Sequence, residues 1–436
     1  MKNQFDVIES NENIKYKFSR EFLIEGFKRV RNFSQLLCKT LVTEDYVIQS
    51  MPDVSPTKWH LAHTSWFFEA FILSKAKKDY ASLHPQYNFL FNSYYVQVGE
   101  RYTRAYRGLL SRPTVAEVYE YREYVNKNML DFLENCNNKQ LNEFASVIEV
   151  GLHHEQQHQE LLVTDIKHVF SVNPLKPVFR EREIKSIKDI SPMEWIKFDE
   201  GVYEIGNDGS SFNYDNETPR HKEFVDSFKL GTRLITNKEY IEFINDGGYK
   251  KATLWLSDGW AAVENEKWNT PFYWEKKDGE WWNFTLSGFR KVEPSEPVCH
   301  VSFYEADAFA NWADARLATE TEWEIASENL KINGNFVEDE NFHPIPLSDN
   351  DGEKSLKQIY GDVWEWTRSS YSPYPGYKPL PGALGEYNGK FMSNQIILRG
   401  GSCATSKTHI RNTYRNFFPP NARWQFMGIR LAKNNS

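Results

Sequence analysis

Apolar residues recur three and four positions apart through the first part of the chain, then lose that rhythm. Phe18, Phe22, Phe27, Val30, Phe33 and Leu37 follow it up to a break at Thr43, which predicts a helix with one apolar face. Ser55-Pro56 signals a second helix start, a capping residue followed by proline at the first position. That segment carries Trp59, His60, His63, Phe67 and Ala70. A third helix is expected from Thr114 through Val118, Tyr121, Val125, Met129 and Phe132, and a fourth from about Gln140 to Phe170. Four amphipathic helices of this length predict a bundle over residues 1–172, an architecture that builds ligand and metal sites from inward-facing side chains. The Lys77–Arg112 connection is long for a bundle, and long loops in compact domains are often functional.

Residues 173–194 hold Pro174, Pro177 and Pro192 among charged residues and read as a linker. Beyond it, short segments broken by Gly, Pro, Asn and Asp predict an irregular α+β domain over residues 195–436. Two helical stretches stand out there, Asn237–Asp246 and Tyr304–Ala313, the latter with an extension through Glu320–Ser327. A two-domain reading also suits a chain of 436 residues, 40% of them hydrophobic, because single cores stop growing near ~250–300 residues.

The net charge of −8 argues against a nucleic-acid binder, since phosphate contacts need clustered Lys and Arg. One local basic cluster, Arg101, Arg104, Arg107 and Arg112, fits a solvated surface or a site for a small carboxylate. No apolar run approaches the ~20 residues that span a bilayer, and the N-terminus is polar, so a cytoplasmic protein is expected. Cys38, Cys136, Cys299 and Cys403 lie far apart, which predicts reduced structural thiols rather than a disulfide framework.

The densest chemistry is His154-Glu155-Gln156-Gln157-His158. Histidines at i and i+4 share one helix face, so two imidazoles can reach one metal ion; His153 points about 100° away. His60 or His63 is the candidate third ligand. Three neutral imidazoles leave positions open, which suits a hydrolytic Zn²⁺ or an O₂-activating Fe²⁺. The same run also satisfies HExxH, the zinc-peptidase pattern with the glutamate as general base. Residue 164 is Thr, where the extended form needs a third His.

Ser55-Pro56-Thr57-Lys58-Trp59-His60-Leu61-Ala62-His63 together with His154–Glu160 resembles the DinB-like bundle of ergothioneine-biosynthetic sulfoxide synthases. Three stretches of the second half, Ala315–Glu324, Gly361–Thr367 and Arg399–Ser402, with Gly428–Leu431, are similar to the formylglycine-generating-enzyme-like, C-type-lectin-related domain of those synthases. The resemblance implies that this second domain completes the substrate pocket. It also implies Fe²⁺ on His63, His154 and His158, and a reaction joining a thiol to C2 of hercynine with O₂ to give a sulfoxide. Asn92-Ser93-Tyr94-Tyr95 resembles the active-site tyrosine pair of one branch, making Tyr94 and Tyr95 the expected catalytic residues, with Tyr371 and Tyr374 as fallbacks.

Two departures shape the expected substrates. The cysteine pair of formylglycine-generating enzymes falls on Thr405 and Ile410 here, which argues against their copper chemistry. Arg415-Asn416 is followed by Phe417-Phe418 rather than an acidic residue, which makes free cysteine a candidate thiol beside γ-glutamylcysteine. The trimethylammonium of hercynine favours aromatic faces, so Phe417, Phe418 and Trp424 are candidates, with Gln157 and Asn416 for its ring or carboxylate. Arg101 and Arg104 are candidates for the sulfur substrate's carboxylates. Other readings are a selenium-donor or ovothiol-type relative, a zinc hydrolase, and a metal-binding scaffold without activity.

Overall fold

The structure, a computed structural model, describes residues 19–184, 186–187, 191–347 and 355–435; Phe18 lies outside them. The chain forms two compact units. The first is Met1–Pro174 with Gly209–Phe212 and Lys378–Gly389, and the second is Leu175–Asp208, Asn213–Tyr377 and Lys390–Ser436. The two excursions into the first unit come from loops that no periodicity marks.

Among the described residues, four long helices build the first unit: α1 (Arg20–Leu37), α2 (Thr57–Phe68), α3 (Val115–Asn135) and α4 (Asn138–Val172). Side-chain caps start three of them. Ser19 Oγ accepts from Phe22 N–H, and Thr114 and Asn137 open capping boxes with Glu117 and Gln140. The face of α1 that carries Leu23, Phe27, Val30 and Leu37 is buried, whereas Phe22, placed on that stripe by spacing, is exposed. Ser55 does not cap α2 as its position suggests; Pro56 holds the N-cap position with no side-chain bond. The Ser55 hydroxyl instead accepts from Arg107 at 2.9 Å, and its N–H donates to Asp165 at 2.8 Å.

Every residue of α2 is buried, as expected of a helix packed on more than one side. It lies against α3 and α4, while α1 packs on α4 and α3. Gly151 permits the close approach of α2 to α4. A Cβ there would come within 2.7 Å of Phe68 Cε1, closer than packed atoms tolerate.

Glu155 ties the bundle together. Its carboxylate accepts from Arg31 Nη1 at 2.9 Å, Arg122 Nη2 at 2.5 Å and Ser34 Oγ at 2.6 Å, with all of these groups buried. Burial alone would raise the Glu155 pKa, but the two guanidinium groups and Ser34 outweigh it and bring it down to about 2. Arg31 falls to about 10 through burial and the charge of Arg122, so Arg31 and Glu155 both stay ionised at neutral pH.

The second unit contains the antiparallel sheet β1-β4-β13-β8, made of β1 (Trp195–Phe198), β4 (Phe228–Gly231), β13 (Leu431–Asn434) and β8 (Arg316–Leu317). A second sheet runs β11-β10-β9-β12, from β11 (Asn416–Phe418), β10 (Ile396–Arg399), β9 (Trp364–Ser370) and β12 (Met427–Gly428), the last parallel to β9. A hairpin, β2 (Gly201–Ile205) with β3 (His221–Val225), and the meander β5 (Trp274–Lys277), β6 (Glu280–Thr285) and β7 (Gly288–Lys291) supply the other strands among the described residues. The family-like motifs form the buried framework here. Glu365 accepts from Arg430 Nε at 2.9 Å and Trp323 Nε1 at 2.8 Å, and Arg399 donates to Glu320 and Glu324.

The helices of this unit correct the sequence reading in two places. Besides α5 (Asn237–Asn245) and α7 (Phe303–Trp312) there is α6 (Ser257–Glu266), which the pattern missed. Its start at Leu256 has no side-chain cap and its first turn contains Gly259. Glu320–Ser327, α8, is not an extension of α7. Strand β8 intervenes, and Thr319 opens a separate helix with Glu322 in a capping box. The architecture is thus a helical N-terminal domain followed by a domain of mixed helix and sheet.

Candidate metal site

Helical pitch places His154 and His158 on one face of α4, and His63 reaches them from α2. One ring nitrogen from each of the three lies within 4.8 Å of the others. Nε2 of His63 is 3.1 Å from Nε2 of His154. Nitrogens bound at right angles about 2.1 Å from one metal would be about 3 Å apart, so this spacing fits a shared ion.

Hydrogen bonds dictate which nitrogen each ring presents. The Phe91 carbonyl can only accept, so His63 Nδ1, 2.5 Å away, donates to it and leaves its Nε2 lone pair facing the cluster. His158 Nδ1 is taken by His60 Nδ1 at 2.9 Å, which again leaves Nε2. His154 Nδ1 has no hydrogen-bond partner among the described residues. Burial holds His63 and His158 well below the ordinary imidazole value, reinforced by the neighbouring histidines, and brings His154 down to about 3. The rings are therefore neutral at pH 7, the form that binds metal.

Aromatic rings and one buried cation frame the cluster. Trp59 stacks on His63 at 4.5 Å, Trp66 stacks on it at 5.4 Å, and Phe67 lies 4.7 Å from His154. The Arg107 guanidinium sits 3.2 Å from the Trp59 ring centre and donates to Ser55 and Ser93. It is the one member of the predicted basic cluster that is buried; Arg101 and Arg104 are exposed. Arg101 donates to the Tyr94 carbonyl at 3.3 Å, and Arg104 to the Asp53 carbonyl.

Tyr94 and Tyr95 stack on each other at 4.6 Å but occupy different environments. Tyr95 is fully buried, against Trp66 at 5.7 Å and Phe71 at 5.1 Å. Tyr94 is half-buried and meets the ring of Tyr387 edge-on at 6.1 Å. Tyr387 in turn lies 6.0 Å from the His154 ring, and its hydroxyl donates to Gln157 Oε1. Glu386 accepts from Val96 N–H at 3.0 Å and Gln97 N–H at 2.9 Å, which pins the loop just past the tyrosine pair. Sequence reasoning missed both Glu386 and Tyr387. They sit in an aperiodic stretch more than two hundred positions from Gln157, and no motif marks them in the sequence.

Other named residues lie within the second unit. Phe417 stacks on Tyr371 at 4.1 Å, Phe418 meets Trp424 edge-on at 6.1 Å, and Asn416 Oδ1 accepts its neighbour's Phe417 N–H. The Tyr371 hydroxyl accepts from Asn216, and the Tyr374 hydroxyl from Arg399. In the first unit, His153 stacks on Phe212 at 3.8 Å, off the helix face that carries His154 and His158.

Residues 27–162 match the DinB superfamily, and residues 181–346 and 348–435 match the sulfatase-modifying factor enzyme 1-like domain. The chain is 30% identical over 419 residues to the hercynine oxygenase of Mycolicibacterium thermoresistibile, covering 87% of this chain and 88% of that protein. The hercynine oxygenase of Mycolicibacterium smegmatis is 29% identical, with 88% and 92% covered. Ergothioneine biosynthesis protein 1 of Schizosaccharomyces pombe is 25% identical over 51% of this chain and 28% of its own length. With both domains matched in order and a histidine cluster set between the helices of the first, this chain belongs to the hercynine oxygenase family.

Proposed function

We propose that the protein is an iron(II)- and O₂-dependent sulfoxide synthase of ergothioneine biosynthesis. It would join C2 of hercynine to the sulfur of cysteine or γ-glutamylcysteine. The overall balance is one C–H, one S–H and O₂ converted to a C–S(=O) linkage and water. The observation that carries this reading is the cluster of three neutral imidazoles on a chain whose full-length relatives are hercynine oxygenases.

His63, His154 and His158 would hold the metal and leave positions open for substrates. Iron(II), when bound, supplies the O₂ and one-electron chemistry that no side chain provides. The protein's own part is positioning and proton supply. Tyr94 or Tyr95 would hold a proton on a neutral phenol, whose ordinary pKa is about 10. Exposed Arg101 and Arg104 offer bidentate sites for the carboxylate of the sulfur substrate. Gln157, gripped by Tyr387, would help to orient hercynine; Asn416, Phe417, Phe418 and Trp424 are further candidates for it from the sequence.

The peptidase reading loses its base. Arg31, Arg122 and Ser34 occupy the Glu155 carboxylate, which is fully buried. Aerobic incubation with Fe²⁺, hercynine and each thiol, read by mass spectrometry, tests the proposal. The expected product is the hercynine–thiol sulfoxide. Product only with a selenium donor or with unmethylated histidine would move the assignment to a selenoneine- or ovothiol-type relative.

A further inference from the structure

His158 stands at the end of a buried chain of hydrogen bonds. Its Nδ1 lies 2.9 Å from His60 Nδ1, and His60 Nε2 lies 2.9 Å from Asp165 Oδ2. The same carboxylate oxygen accepts from the Ser55 N–H at 2.8 Å. His60 and Asp165 are each about 97% buried, at 3% exposure, so water does not substitute for these contacts.

One proton arrangement satisfies the chain and leaves a lone pair on His158 Nε2. In it the Asp165 carboxylate oxygen accepts from His60 Nε2–H, and the His60 Nδ1 lone pair turns toward His158. His158 must then carry its own proton on Nδ1, and its Nε2 lone pair is left for a metal. The reverse tautomer of His60 would set a ring lone pair against a carboxylate oxygen at 2.9 Å, a repulsive contact in a dry interior. We propose that His60 and Asp165 are positioning residues that fix the tautomer and ring orientation of His158 as a metal ligand. They do so as a carboxylate–imidazole pair acting through a second imidazole. The physical logic is that a partner on the far nitrogen orients a ligating ring and raises its basicity, and its loss typically weakens metal binding about 10–100-fold. His60 lies one helical turn from His63 on α2, so one helix supplies both a ligand candidate and the support for another.

The inference rests on the metal reading above, and cobalt binding separates the two. Metal-free protein is titrated with Co²⁺ against a chromophoric chelator, and the visible bands of bound Co²⁺ are recorded. Wild type is expected to bind one ion; His60→Leu, with thermal unfolding and circular dichroism verifying the fold, is expected to bind about 10–100-fold more weakly with altered bands. His60→Gln, whose amide oxygen can accept from His158 Nδ1–H, should recover most of the affinity. Asp165→Asn, which keeps an acceptor but loses the charge, should fall between. A folded His60→Leu that binds Co²⁺ as tightly as wild type with unchanged bands overturns the positioning role. Equal losses in His60→Leu and His60→Gln overturn it too, because a packing defect would not respect the acceptor. Wild-type protein that takes up no Co²⁺ overturns the metal reading itself.

Discussion

Nε2 of His63 lies 3.1 Å from Nε2 of His154, across 91 residues of sequence. The Phe91 carbonyl occupies the other nitrogen of His63, so the lone pair at Nε2 has nowhere to point but into the cluster. A cation shared with His154 and His158 turns this close approach into attraction. Removing one nitrogen should therefore be felt as lost metal rather than lost fold. His154→Ala is expected to lower divalent-metal affinity on the order of 100-fold or more, read by chelator competition, while helical content is kept. Retained wild-type affinity would exclude the ring as a ligand.

Glu155 predicts the opposite phenotype. Its replacement by Gln leaves Arg31 and Arg122 buried without their anion, and breaking a buried ion pair costs roughly 3–5 kcal/mol. Denaturant unfolding of Glu155→Gln should show a loss of that order. A stable but inactive variant would instead argue for a glutamate that takes part in chemistry.

The tyrosine pair divides by environment. Tyr94, half-buried beside Tyr387, is better placed to deliver a proton than fully buried Tyr95. Tyr94→Phe is expected to slow sulfoxide formation about 100-fold, the low end of what a positioned acid contributes, with Co²⁺ affinity unchanged. Tyr95→Phe should lose much less. Equal, near wild-type rates for both would remove the pair from the mechanism.

Glu386 holds the following loop through two backbone amides. Glu386→Ala should raise KM or lower kcat without changing metal affinity, because the clamp touches the Tyr94–Gln97 segment and not the histidines. A change in metal affinity of the same size would show that the segment supports the ligands directly.

Asp362 gives a pH test for the second unit. Burial raises its carboxyl to about 6, against backbone and amide donors from Ile345, Asn335 and Gln358 that pull it down. A folded-state pKa raised above the unfolded value, ~3.9 for Asp, means the native state binds the extra proton. Its stabilising contribution is therefore present below about pH 4 and lost as pH rises through 6. Relative to Asp362→Asn, the wild type should gain on the order of 1 kcal/mol between pH 7 and pH 5. An equal pH slope in both proteins would contradict the raised value.

What was legible in the sequence followed from local geometry. The helical pitch of α4 alone put His154 and His158 together, and apolar spacing located α1, α3 and α4. The choice of His63 over His60 did not follow from spacing, since both lie on one face of α2, and it rested on the family resemblance. In the structure the two divide the work: His63 faces His154, while His60 bonds to His158 and Asp165. Glu386 and Tyr387 were invisible because tertiary return of a loop leaves no period. The uncapped start of α6 and the two-residue strand between α7 and α8 were missed because neither carries a local signal.

The most direct test is to follow hercynine and cysteine, and separately γ-glutamylcysteine, in air with metal-free protein, before and after one equivalent of Fe²⁺, by mass spectrometry. The account predicts a hercynine–thiol sulfoxide that forms only with Fe²⁺ and disappears in His63→Ala. Product without metal, or undiminished product from His63→Ala, would contradict it.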